Sequence, residues 1–182
     1  MPLLHLVPIF LPPEPPVLAR LAERLGRIFT STVLVCVPRL DPEQAFDGSR
    51  GQYNSTSLLA QLLDEPTATE GRILGVASVD LFIPILTHVF GEAQLGGRAA
   101  VVSSYRLDNR HYGLPRNDSV LLDRLVKEAV HELGHTYGLV HCDDSSCVMH
   151  SSTYVEDIDN KSGSFCSVCL RAVRAANARP PR

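Results

Sequence analysis

Several features that would direct a functional assignment are scarce in this 182-residue sequence. It has no tryptophan, aromatic residues make up 6% of it, and its formal net charge is only −3. Such a charge balance gives no strongly basic surface for a nucleic acid partner. No apolar run approaches the ~18 residues of a transmembrane helix, so we expect no membrane span. Cysteine and methionine are also rare, with five and two residues, which gives weight to any stretch in which they cluster.

The N-terminal stretch MPLLHLVPIFLPPEPP is apolar, yet it has no basic leader and is interrupted by prolines. We interpret it as a strand and a loop rather than a secretion signal, and therefore expect a cytoplasmic protein. In a reducing compartment, cysteines are more often thiols or metal ligands than disulfides. The length and the 45% hydrophobic fraction suit one domain with a substantial core, whereas the oligomeric state stays open.

The hydrophobic pattern predicts an α/β fold that begins with a strand, a helix and a parallel strand. Apolar residues recur at helical spacing from Val17 to Phe29, between apolar runs at 3–10 and 31–38 that predict strands. We expect the second strand to be buried, with Cys36 as a small core residue. The sequence further predicts a surface loop at 41–57, a short helix at 57–65, a strand at 72–83, a loop at 90–97, a strand at 98–107 and an amphipathic helix from about 118.

The stretch HELGHTYGLVH, residues 131–141, holds three histidines and a glutamate. His131 and His135 are four residues apart on the predicted helix, so both imidazoles lie on one face and can share a cation. Gly138 accepts the left-handed backbone conformation that ends a helix. The reversed chain can then bring His141 back as a third ligand. The pattern therefore predicts a metal site rather than histidines of a helix core.

The three histidines would leave one position of a tetrahedral zinc open for water, whose pKa the metal lowers to roughly 7. Glu132 follows the first histidine and points to the edge of the same site, where it can reach this water as a general base. The zinc would also polarise a scissile carbonyl. These residues predict the hydrolysis of a peptide bond without a covalent intermediate.

The same stretch resembles the extended HExxHxxGxxH signature of the metzincin metallopeptidases. Met149 follows shortly after His141 and resembles the methionine of the tight turn that underlies the zinc site in that clan. Ser151 stands where some metzincins have a tyrosine ligand, so no fifth ligand is expected. The resemblance implies a metzincin-like fold, a mixed twisted sheet with flanking helices and an active-site helix.

The residues that follow make the resemblance more specific. They are similar to the pattern of the archaemetzincins, a branch of zinc peptidases, in the positions of Cys142, Cys147, Cys166 and Cys169. The family implies a second zinc held by these cysteines, and therefore two zincs per chain. It also implies one metallopeptidase domain over residues 1–182. Its N-terminal lobe, residues 1–138, would include the active-site helix, and its small C-terminal lobe, residues 139–182, would hold the methionine turn.

Four thiolates close the coordination shell of zinc, so we assign the cysteine site a structural role. It would brace the loop that presents His141 and stabilise a lobe with little core of its own. Three alternatives stay open at this point. The cysteines are buried free thiols, Cys166 and Cys169 are a redox pair, or one thiolate binds the catalytic zinc and blocks it.

The implied substrate is a peptide or protein. In metzincins an edge strand of the sheet pairs with the extended substrate, and the strand at 98–104 occupies the corresponding place in this sequence. The rival hypothesis is a non-proteolytic, zinc-stabilised module that binds peptides or proteins with the same fold. An intact Glu132 argues against this rival, because binding alone requires no base.

Overall fold

The computed structural model describes residues 2–11, 16–65 and 70–177. The strands are β1 Leu3–Ile9, β2 Thr32–Val35, β3 Phe46–Asp47, β4 Gln52–Asn54, β5 Arg72–Ala77, β6 Leu81–Phe82, β7 Gly91–Ala93 and β8 Ala99–Ser103. The α-helices are α1 Pro16–Phe29, α2 Ser55–Leu63, α3 Asp118–Thr136, α4 Val155–Asn160 and α5 Ser167–Asn177. No helix in the described ranges is long and apolar enough to cross a membrane.

A five-stranded sheet in the order β2-β1-β5-β8-β7 forms the centre of the fold. Its first four strands are parallel, and β7 runs antiparallel to β8 at one edge. Because side chains alternate between the faces of a sheet, the core has two parts. One part packs against α1 and α3, and the other packs against α2. The predicted α/β fold with a mixed sheet and flanking helices is confirmed.

The opening strand–helix–strand unit also follows the prediction. β1 and β2 pair in parallel, with Leu3 opposite Thr32. The helix between them has one apolar face, since it buries Leu18, Leu21, Leu25 and Phe29. That face covers the sheet and also contacts α3, so the first helix supports the helix that carries the histidine motif.

The expectation of a buried strand at 31–38 is wrong. β2 is shorter and forms the outer edge of the sheet, with the Leu34 and Val35 side chains largely exposed. Their β-branched and aliphatic character indicates a strand but not its depth in the fold. Cys36 follows this strand and is only half-buried. Its thiol lies 3.3 Å from His5 Nδ1.

Residues 41–57 and 72–83 fold differently from the prediction. The expected loop contains a 3-10 helix and the β3–β4 hairpin. The expected long strand breaks after β5, and β6 joins the hairpin in a second, three-stranded sheet. At the break, Asp80 accepts hydrogen bonds from Arg106 Nε at 2.6 Å and Gln52 Nε2 at 2.9 Å. These partners are distant in sequence, so no local pattern indicates the break.

The predicted loop at 90–97 contains β7, the second edge of the central sheet. β8 therefore lies between β5 and β7, and the expectation that the strand at 98–104 forms the edge is wrong. The segment Gly91-Glu92-Ala93 has neither β-branched nor large apolar residues, which are the residues that mark strands in a sequence. Its strand conformation comes from pairing with β8.

The helix α3 begins and ends where the capping residues in the sequence predict. The Asn117 side chain accepts a hydrogen bond from Val120 N at 3.1 Å and caps the first turn. The helix ends at Thr136, and Gly138 adopts a left-handed φ of 85°, as the reversal of the chain requires. A return loop then leads to α4 and α5, so the histidine motif lies where α3 meets the C-terminal part of the chain.

Candidate metal centre and substrate cleft

The three histidines of the motif converge. His131 and His135 project from the last two turns of α3, and the return loop brings His141 towards them. One ring nitrogen of each lies within 4.8 Å of the corresponding atoms of the other two. His131 Nε2 and His135 Nε2 are 3.1 Å apart. The predicted set of imidazoles is therefore assembled in one place.

Hydrogen bonds of His131 and His135 show which of their ring nitrogens face the centre of the histidine cluster. His131 Nδ1 lies 2.8 Å from Val148 O, and His135 Nδ1 lies 2.7 Å from Leu139 O. A carbonyl oxygen accepts only, so both Nδ1 atoms carry the proton and both Nε2 atoms have lone pairs. Two lone pairs that face each other at 3.1 Å repel unless a cation lies between them. The donor set fits a divalent metal such as zinc.

The surroundings also hold these rings in the neutral form that binds metals. Burial lowers the pKa of His131 to about 3, and the positive charge of Lys161 contributes to this shift. Burial lowers the pKa of His135 and His141 in the same direction. Neutral imidazole is the form that binds a metal, so the three rings do not have to lose a proton before they bind one near neutral pH.

Glu132 is buried beside the histidines and lies against the edge strand. A Cβ atom on Gly91 would be 2.6 Å from Glu132 Cγ and 2.8 Å from Glu132 Oε1, so glycine leaves the room that this carboxyl group occupies. Burial raises the pKa of Glu132 well above its usual value, and the negative charge of Glu128 adds to this effect. The position suits a group that exchanges protons with something held in the cleft.

A buried ion pair next to Glu132 was missed by the sequence analysis. Glu128 lies one helical turn before Glu132 and is 3% exposed, while Lys161 is 2% exposed. Lys161 Nζ is 2.9 Å from Glu128 Oε1 and donates a hydrogen bond to His150 O at 3.2 Å. The pair thus ties α3 to the turn after Met149. The i,i+4 spacing of the two glutamates was visible in the sequence, but nothing there pointed to Lys161.

A cavity of about 590 Å³ opens onto the histidines and Glu132. Residues 86–93 form the wall opposite α3, and residues 151–153 close one side. The cysteines that follow His141 do not line this cavity. Among the described residues, the cysteine cluster is a separate group, so the structure does not support a thiolate that blocks the histidine site.

The strand β7 borders the cavity and is the last strand of the central sheet in the described part of the chain, so one side of its backbone has no strand partner there. Phe90 O accepts from Ser103 N and Gln94 N donates to Ala99 O, each at 2.9 Å. Main-chain groups of an antiparallel strand alternate in direction, so those of Gly91 and Ala93 point away from β8. This free edge, rather than the strand at 98–104, is available to an extended peptide.

The four predicted cysteine ligands form the second cluster. Their sulfur atoms lie within 4.8 Å of one another, and none forms a disulfide. Cys147 Sγ accepts hydrogen bonds from Met149 N at 3.5 Å and Cys166 N at 3.3 Å. The N–H of Cys169 lowers the pKa of Cys166 to about 7, whereas burial raises the pKa of Cys147 and of Cys169. Four sulfurs at this separation suit a closed tetrahedral zinc site.

The methionine turn joins the two clusters. Cys142 N donates to Met149 O at 3.0 Å, and the neighbouring carbonyl, Val148 O, accepts from His131 Nδ1. Met149 is fully buried, and its sulfur is 2.4 Å from where a Cβ atom on Gly134 would lie. The turn therefore packs directly under α3, as the sequence pattern predicted for Met149.

Comparisons with known proteins match the chain to one peptidase family. The model of peptidase family M54 matches residues 30–175. The chain belongs to this family. It is 42% identical to the archaemetzincin of Methanocaldococcus jannaschii over 159 residues, which are 87% of this chain and 86% of the relative.

Solved structures extend the similarity to the whole fold. The archaemetzincin of Methanopyrus kandleri is 37% identical, with a TM-score of 0.82 over 97% of this chain and 96% of that one. A zinc-dependent peptidase of Methanocorpusculum labreanum is 30% identical, with a TM-score of 0.82 over 93% of this chain and 99% of that one. The chain is a zinc metallopeptidase, as the resemblance to archaemetzincins predicted.

Proposed function

We propose that this M54 peptidase uses Glu132 as its general base and that His131, His135 and His141 hold the catalytic zinc. When bound by these imidazoles, zinc supplies Lewis acidity for a peptide carbonyl and acidifies water. Glu132 takes the proton of the attacking water and later delivers it to the leaving amine. Its burial against β7 supports this role, because the proton transfer would then occur beside the strand edge proposed to receive the substrate backbone.

The proposed substrate is a peptide or protein segment in extended conformation. Its backbone pairs with the free main-chain groups of Gly91 and Ala93, so that an amide bond lies between the histidines and Glu132. Glu128, one helical turn before Glu132, is paired with Lys161 at 2.9 Å. The positive charge of Lys161 offsets the negative charge of the Glu128 carboxylate near the site.

A second zinc, held by Cys142, Cys147, Cys166 and Cys169, has a structural role in this proposal. The closed sulfur set leaves no position for a substrate. It fixes the return loop and the methionine turn, and with them His141 and the Val148 carbonyl. The peptidase domain then consists of an N-terminal lobe, residues 1–138, and a C-terminal lobe, residues 139–182, that meet at the cleft.

The convergence of unprotonated imidazole nitrogens next to a buried carboxyl group, at the wall of an open cavity, is the observation that carries this proposal. The test uses the zinc-loaded protein and a diverse peptide mixture whose products are identified by mass spectrometry. Glu132→Gln is expected to lower kcat by about 10²–10⁴-fold and to keep its zinc. Glu156→Gln, a change of an exposed glutamate, is expected to cleave like the parent chain.

The rival function is a zinc-stabilised peptide-binding module without hydrolytic activity. Peptide binding without cleavage by the parent chain would establish this rival, and equal product profiles for the parent and Glu132→Gln would overturn the proposed role of Glu132. Elemental analysis of the same samples gives the zinc content, for which the proposal expects two ions per chain.

A further inference from the structure

Large apolar side chains surround the mouth of the cleft and remain exposed. Leu86 is 50% exposed, Leu95 is 61% exposed and Val140 is 66% exposed, and all three line the cavity. They come from three different segments of the chain. Apolar surface concentrated at a binding cleft commonly marks the part that contacts a ligand.

The segment that presents Leu86 is held by a strong local network. Arg50 Nη2 donates to Leu86 O at 2.9 Å and Thr87 O at 3.1 Å. Gln52 Nε2 donates to the same Thr87 carbonyl at 3.0 Å, and the Arg50 guanidinium stacks on the Phe82 ring at 4.2 Å. The hairpin β3–β4 therefore fixes this rim, and Leu86 is presented to the cleft on a constrained backbone.

The backbone segments that carry Leu95 and Val140 are attached to the end of the active-site helix. Gly96 N, next to Leu95, donates to His135 O at 2.9 Å. Val140 lies between Leu139, whose carbonyl accepts from His135 Nδ1, and His141 itself. All three apolar groups thus keep a defined position relative to the histidine cluster.

Their arrangement matches an extended peptide on the edge strand. Leu86 precedes β7 and Leu95 follows it, and a three-residue strand is about 10 Å long. A peptide paired with Gly91 and Ala93 would meet aliphatic surface near both ends of the paired stretch, and Val140 beside the histidines.

Two of the three carboxylates that line the cavity, those other than the proposed base Glu132, have partners within the protein. Glu92 accepts hydrogen bonds from the hydroxyl groups of Ser55 and Thr56, the latter at 2.9 Å. Glu128 pairs with Lys161 at 2.9 Å. These two groups are therefore poorly placed to select a basic substrate side chain, whereas the aliphatic rim favours an apolar one.

We propose that the cleft selects an extended peptide with uncharged aliphatic side chains on both sides of the bond near the histidines, and that Leu86, Leu95 and Val140 determine this specificity. The inference rests on the proposed function for the position of the substrate. It adds the class of side chain that the substrate presents.

Binding and cleavage are measured separately, so that the two proposals are tested independently. Zinc-loaded Glu132→Gln keeps peptides intact and is titrated by fluorescence anisotropy. The probes are labelled eight-residue peptides that carry leucine, serine or lysine at the four central positions. Leucine peptides are expected to bind about tenfold more tightly than serine or lysine peptides. Equal affinities, or an absence of binding, would overturn the inference.

Substitutions of the rim residues test which side chains cause the preference for leucine peptides. Leu86→Ser and Val140→Ser are expected to reduce the leucine-over-serine preference about threefold or more each. Leu34→Ser, an exposed leucine on the remote β2 edge, is the matched control and is expected to leave it unchanged. A full preference in both rim variants would overturn the assignment of these residues.

The parent chain is then assayed for cleavage of the same peptides. A preference of about tenfold or more in kcat/KM for leucine peptides supports both proposals. An aliphatic preference in binding without any cleavage supports the specificity inference and removes the hydrolytic function. Cleavage that is indifferent to the central side chains retains hydrolysis and overturns the specificity inference.

Discussion

The two ligand clusters meet at consecutive residues, His141 and Cys142, yet they are built in opposite ways. The histidines extend from a regular helix and a glycine-ended loop into an open cavity of about 590 Å³. The cysteines lie on turns and at the start of α5, with Cys147 and Cys169 buried. The histidine cluster has a cavity wall, the proposed base Glu132 and a strand edge around it, whereas the cysteine cluster is enclosed by its own loops.

From this difference we infer that the histidine cluster carries out the reaction and that the cysteine cluster supports it. A reaction needs a cavity, a group that moves protons and space for a substrate, and these features surround only the first of the two clusters. The second cluster contacts the first through backbone hydrogen bonds of the methionine turn, such as Cys142 N to Met149 O at 3.0 Å. We therefore expect the histidine site to depend on the cysteine site, and the predictions below test that dependence.

The largest effect is expected from removing two buried sulfurs. Replacing Cys147 and Cys169 with serine should unfold the C-terminal part and lower Tm by on the order of 10 °C or more, because the lobe loses its metal. Replacing His131 and His135 with alanine should remove one zinc and change Tm much less. Thermal unfolding followed by circular dichroism, with elemental analysis, measures both.

Cys36→Ser is the matched control, since Cys36 is a thiol outside either cluster and is only half-buried. It should keep both zincs and a Tm within a few degrees of the parent value. If the cysteine double variant unfolds at the same temperature as this control, the supporting role of the second cluster is wrong.

An intermediate effect is expected at the contact between the edge strand and the base. Gly91→Ala places a methyl group 2.6 Å from Glu132 Cγ and also 2.6 Å from Val101 O, so the carboxyl group or the strand must shift. Displacing a general base by a fraction of an ångström should lower kcat by about tenfold or more. The zinc content should stay at the parent value.

Gly48→Ala is the control for this change, because a Cβ atom at residue 48, in the turn between β3 and β4, would meet only Phe46 Cε1 at 3.9 Å. It should retain most of the parent kcat. Equal kcat values for the parent and Gly91→Ala would show that the strand adapts, and would remove Gly91 as a positioning residue.

The motif on α3 could be predicted because its information is local. The spacing of His131 and His135 fixes two imidazoles on one helix face, and the left-handed Gly138 fixes the reversal that returns His141. The four cysteines were predicted as a set because the resemblance to archaemetzincins implies that they hold one zinc. Within the histidine motif and within each cysteine pair, a short backbone path connects the residues.

The remainder of the cleft could not be predicted because it depends on contacts between distant segments. β7 has no strand signal of its own, and its identity as the edge arises from pairing with β8. Lys161 reaches Glu128 only after α4 folds against α3, and Arg50 reaches the Leu86 carbonyl only through the second sheet. Such long-range pairs leave no periodic trace in a single sequence.

The smallest effect is expected where the turn that links the clusters packs against α3. A methyl group on Gly134 would lie 2.4 Å from Met149 Sδ, and relieving this overlap should cost more than the ~1 kcal/mol that alanine gains over glycine in a helix. Gly134→Ala should therefore lower the free energy of unfolding by about 1 kcal/mol, as measured by urea denaturation.

The sign of the same substitution should reverse when the methionine is absent. In a Met149→Ala background, Gly134→Ala fills space rather than competing for it, and the free energy of unfolding should rise by about 1 kcal/mol. Equal effects in both backgrounds would mean that the helix and the turn are energetically independent. The hydrogen bond of Val148 O to His131 Nδ1 would in that case still join the methionine turn to α3.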